Sequence, residues 1–135
     1  MPLFFPARGD TIRSRACRCA AATPGEDAMD ANEEYAVVMT TVAGEEAAEE
    51  LAERIVASRL GACVQALPVR SFYKWKGETM RDREWLLLVK TRAARNGELE
   101  EFIRCNHGYE LPEILRLPVS AGFAAYLDWI DLNIH

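Results

Sequence analysis

The residues best equipped for chemistry sit together in Asn106-His107-Gly108-Tyr109-Glu110-Leu111-Pro112-Glu113-Ile114. An imidazole, a phenol and two carboxylates fall between His107 and Glu113. Imidazole nitrogen and carboxylate oxygen together suit zinc or copper(II), provided water or another subunit completes the ligand set. Pro112 disfavours helix for Leu111, so the segment leads in extended form into a β-rich run over 113–119. His107 and Glu113 are therefore the candidate metal ligands, held near one cleft. In the competing reading Glu113 pairs with Lys90, and His107 only caps a loop.

The elements that must position this segment follow from apolar spacing. Residues 35–41, nearly continuous in apolar character, predict a central strand. A helix over 44–60 puts Ala48, Leu51, Ala52 and Ile55 on one face. Its glutamates gather at the N-terminal half and its arginines towards the C-terminus, as the helix dipole favours, and Gly61 is the expected stop. A second strand over 62–67 is expected to bend at Pro68 and continue over 69–76. There Tyr73 and Trp75 face one side, and Phe72, Lys74 and Lys76 the other. A turn at Gly77-Glu78 returns the chain as a third strand over 80–91, closing a long hairpin. A helix over 92–105, the strand over 113–119 and a last helix over 123–134 complete the order. The fold class is α+β: a ferredoxin-like βαββαβ sandwich with a long hairpin and an extra C-terminal helix. The hairpin outruns what a small sheet can cover, so oligomerisation is expected to bury its aromatic tip.

Composition narrows the function classes. The chain has 135 residues, half of them hydrophobic, which suits one folded domain. A formal net charge of −5 argues against a nucleic-acid partner. No apolar run approaches the roughly 20 residues of a membrane-spanning helix, so no membrane partner is expected. Residues 1–33 differ from the rest and read as a disordered or spurious N-terminal extension, with Met29 a natural start. Residues 34–135 form the folded domain. Four cysteines show no C-x-x-C spacing, and Cys63 and Cys105 read as unpaired thiols. That pattern suits a reducing, cytoplasmic location. No serine–histidine–acid set or phosphate-cradling loop is evident, so no catalytic residue and no enzyme activity are expected.

In order along the chain come Val38-Met39-Thr40-Thr41, Gly61-Ala62-Cys63, Phe72-Tyr73-Lys74-Trp75-Lys76-Gly77, Glu84 and Lys90-Thr91. His107-Gly108-Tyr109-Glu110-Leu111-Pro112-Glu113, Leu117-Pro118-Val119 and Tyr126-Leu127-Asp128-Trp129-Ile130 follow. Together these motifs resemble the CutA divalent-cation tolerance family over about residues 35–134. The resemblance implies a homotrimer built through the hairpins, as in the PII signalling proteins, and a role in tolerance to copper and other divalent cations. It also implies clefts between subunits that bring Tyr73, Trp75, Lys90, Tyr109 and Glu113 together as a ligand cleft. The implied cofactor is Cu2+ or another divalent cation, with no organic cofactor. Thr40 and Asn106 stand where copper-binding members carry cysteine and histidine, which lowers the expected preference for copper. The alternative function is a PII-like small-ligand or scaffold module that uses the same clefts without a metal.

Overall fold

The computed structural model describes residues 34–135, and the expectation for residues 1–33 lies outside the described residues. The elements are β1 (Tyr35–Val42), α1 (Glu45–Ala57), β2 (Cys63–Trp75), β3 (Glu78–Arg92), α2 (Asn96–Cys105), β4 (Ile114–Val119) and α3 (Ala124–Asn133). The strands form one antiparallel sheet in the order β2-β3-β1-β4. This is the expected α+β, ferredoxin-like plan with one helix added at the end.

Alternation along the strands divides the sheet into two faces. Val38 and Val42 of β1 and Leu87 and Val89 of β3 pack against Ala48, Leu51 and Ile55 of α1 and Leu99 and Ile103 of α2. Each of these is at most 4% exposed, and each large side chain so buried contributes about 1.5–3 kcal/mol. The other face is only partly covered. Ile130 and Ile134, at the end of the chain, close over Ala62 with Tyr35 and Leu127 at its edge. Asp131 fixes that contact by accepting from the Tyr35 hydroxyl and from Arg92, both at 2.7 Å. Beyond α3 the same face leaves Leu67, Leu115 and Leu117 39–55% exposed.

Four local details differ from expectation. β2 runs unbroken through Pro68, which lies opposite Trp85 in an edge strand where a missing amide costs little. The hairpin turns at Lys76-Gly77, with φ of 50° and 83°, because a two-residue turn with both φ positive matches strand twist. α1 ends earlier, and Arg59 takes the left-handed conformation at its C-terminus. Gly61 serves close packing instead: a Cβ there would lie 2.5 Å from Val89 and 2.8 Å from Ile55. Finally, Cys63 is a free thiol as expected, whereas Cys105 is disulfide-bonded. Among the described residues no helix is long and apolar enough to cross a membrane.

Candidate functional site

The loop between α2 and β4 positions the candidate residues, and His107 is its anchor. His107 is 2% exposed. Its Nδ1 accepts from the Tyr109 backbone N–H at 3.0 Å, so Nε2 carries the proton and donates to the Thr41 carbonyl at 2.7 Å. Burial pushes its pKa below the ordinary histidine value, only partly offset by the bond to Thr41. Both ring nitrogens are thus engaged with backbone. As placed, His107 offers no lone pair to a cation, and its work is to pin the loop to the end of β1.

Two residues on, Tyr109 is held beside His107, their rings 4.8 Å apart. Its hydroxyl donates at 2.9 Å to Oε2 of Glu84 in β3. Glu84 is 2% exposed, and its second oxygen, Oε1, has no hydrogen-bond partner. A buried carboxylate with one bare oxygen is costly to maintain, and such a group calls for a cation, a proton or a donor. Burial and the bond to Glu84 raise the Tyr109 pKa far above the phenol value, so it acts as a fixed donor. Thr41, whose carbonyl holds His107, also has a buried Oγ1 without a partner.

Glu113 lies within electrostatic reach of Glu84. Its pKa is raised, first by burial and then by the Glu84 charge. Tyr73 and Asp82 border the same group: both act electrostatically on Tyr109, and the Tyr73 hydroxyl donates to Asp82. Of the expected residues, Tyr73, Tyr109 and Glu113 therefore gather around Glu84 within a single subunit.

Lys90 and Trp75 do not join them. Lys90 pairs with Cys63 at the other end of β3, donates to Gln65 and lies 4.0 Å from the Cys63 sulfur. Six residues of strand separate it from Glu84, about 20 Å. Trp75 stands at the hairpin tip under Lys76, whose Nζ is 5.6 Å from the ring centroid. Nor does Lys90 pair with Glu113: Lys90 lies opposite Val37 on β1, whereas Glu113 precedes Ile114, which lies opposite Thr40. Glu84 is the buried polar residue that spacing arguments underrated. Its signal was an acid directly preceding the apolar run Trp85-Leu86-Leu87-Leu88-Val89.

What remains is three carboxylates, two phenols and a hydroxyl at one end of the sheet, an oxygen-rich set suited to a hard or borderline cation. Among the described residues no cluster of three or more histidine, cysteine or acidic side chains could hold a metal ion unaided. A cation here would need water or a neighbouring subunit to complete its shell.

A family model described as CutA1 divalent ion tolerance protein matches residues 36–133. A divalent-cation tolerance protein CutA from Thermus thermophilus is 44% identical over 98 residues, covering 72% of this chain and 95% of that protein. A chloroplastic CutA protein from Arabidopsis thaliana is 41% identical over 95 residues, or 70% of this chain, which spans about half (52%) of that relative's length. The solved periplasmic divalent cation tolerance protein CutA from Archaeoglobus fulgidus superposes with a TM-score of 0.73 at 32% identity. That match covers 75% of this chain and 99% of that structure.

Proposed function

The chain belongs to the CutA1 divalent ion tolerance family, and from that premise we propose that it binds a divalent cation, copper(II) or zinc, through Glu113 and Glu84. The observation that carries the reading is the bare, buried Oε1 of Glu84 beside a Glu113 whose carboxyl already resists ionisation. A cation placed between two desolvated carboxylates removes the penalty that raises the Glu113 pKa. His107 belongs to the site as its positioning residue, since it fixes Tyr109 and through it Glu84. The proposed role is one of binding, which His107 serves by position, with both ring nitrogens engaged by backbone.

The working form is a homotrimer. Support comes from the open sheet face, where Leu67, Leu115 and Leu117 remain exposed. Assembly on that face would bring the carboxylate end of each sheet near a neighbour, which can supply the missing ligands. A neighbour would also be needed to unite Lys90 and Trp75 with Tyr109 as an intersubunit cleft. The cytoplasmic location expected from unpaired thiols keeps the support of Cys63 and loses that of Cys105.

The test is a calorimetric titration of copper(II) and of zinc at two pH values, with the mass fixed by sedimentation equilibrium. Binding saturates near one ion per subunit, and affinity rises with pH as Glu113 loses its proton. Affinity that does not change across the Glu113 titration would remove that carboxylate from the site.

A further inference from the structure

The hairpin has a second face that the carboxylate site does not use. In the β2–β3 register Arg70 lies opposite Arg83, and Phe72 lies opposite Arg81. By alternation all four side chains leave the face opposite to that of Tyr73, Asp82 and Glu84. Directly opposed strand residues have Cβ atoms about 4.5–5.5 Å apart, and like charges at that spacing are destabilising. The neighbouring acids Asp82 and Glu84 alternate to the other face, where Asp82 accepts from Tyr73 and Glu84 Oε2 accepts from Tyr109. Arg81 is spread over the exposed Phe72 ring, 5.8 Å from its centroid.

Two adjoining grooves meet at this pair. Arg70 and Arg83 line both: the first continues past Pro68, Val69, Trp85 and the carboxylate-bearing Glu84, and the second past Phe72, Arg81 and Asp82. The larger measures about 480 Å³, room for a small molecule and more than a lone ion fills. In a chain with 21 acids against 16 bases, three arginines around one groove form a local reversal of charge.

We propose that Arg70 and Arg83, with Arg81 beside them, form an oxyanion site that takes a phosphorylated small molecule. Guanidinium forks on directly opposed residues of neighbouring strands can each grip a phosphate in bidentate fashion. A dianion between them converts the cross-strand repulsion into two attractions. Phe72 and Trp85 flank the arginines and give the organic part of the ligand an apolar surface. Lys90, which is spent on Gln65 at the far end of β3, takes no part.

The experiment titrates inorganic phosphate into the chelator-treated full chain at low ionic strength, by calorimetry, and repeats it with Arg83→Gln, Arg70→Gln and Glu113→Gln. Wild type gives saturable heat near one phosphate per subunit. Each arginine variant binds at least tenfold more weakly while keeping its circular dichroism spectrum and oligomeric mass, and Glu113→Gln binds as wild type. Loss of the cation site in that last variant leaves this prediction untouched, so the two assignments fail separately. The proposal is overturned by absence of saturable heat in wild type, or by arginine variants that bind phosphate equally well. It is also overturned if those variants change oligomeric mass without changing phosphate affinity, which would make the groove a seat for the acidic α1 of a second copy.

Discussion

The two faces of the hairpin are built from the same two strands and behave in opposite ways. On one, Asp82 and Glu84 each accept a hydrogen bond from a phenol, Tyr73 and Tyr109, and Glu84 is buried. On the other, Arg70 and Arg83 confront each other while remaining open to water. A one-residue step along the strand separates the two environments. Burial makes the difference: carboxylates under the α2–β4 loop lose water and so need donors or a cation, whereas exposed arginines keep their hydration and can wait for an anion. The acidic face is therefore organised by the fold and the basic face by its ligand.

Breaking the acidic face should cost most. Tyr109→Phe leaves Glu84 buried without its hydroxyl donor and is expected to destabilise the protein by about 2–3 kcal/mol. Urea unfolding at fixed protein concentration measures this, and a loss below about 0.5 kcal/mol would mean that Glu84 is solvated after all.

His107 comes next, through pH. Its folded pKa lies below the unfolded value, so the unfolded chain binds its proton first as pH falls. Stability is then full above about pH 6.5 and declines as pH drops from there towards the folded pKa. His107→Gln should flatten that part of the profile in thermal melts; an unchanged profile would assign the slope to another group. Glu113 has the opposite sign. Its raised pKa means that stability held below the ordinary value of 4.5 is lost as pH rises through the folded pKa. In cation-free buffer at neutral pH, Glu113→Gln should therefore melt higher than wild type. Arg83→Gln on the basic face carries the smallest effect, a slight rise in melting temperature from relief of the cross-strand repulsion. A marked fall there would show that the arginines already have partners and would dissolve the contrast between the faces.

Much of the scaffold was legible because its signals are local. The apolar stripe of α1 and the nearly continuous apolar run of β1 report their own burial. The hairpin was also legible, but its register shifted with the turn. With Lys76-Gly77 as the turn, counting back along both strands puts Val69 opposite Glu84 and Cys63 opposite Lys90. The neighbourhood of Lys90 and Tyr109 came instead from the family resemblance, which places it between subunits, where no register within one chain reaches. The candidate site was legible in its residue types but not in their roles. His107 looks the same in sequence whether it faces a cation or a backbone carbonyl. Only the contact with Thr41, 66 positions away, decides. Glu84 was obscured for a similar reason, since its burial depends on a loop 25 residues downstream.

The central claim is that a divalent cation is held by carboxylates at this end of the sheet and not by the imidazole. The most direct measurement titrates copper(II) calorimetrically into wild type and Glu113→Gln at neutral pH, after melts confirm that both are folded. The account predicts saturable binding near one ion per subunit in wild type and at least a tenfold weaker interaction in the variant. Equal affinity in the two proteins would contradict it.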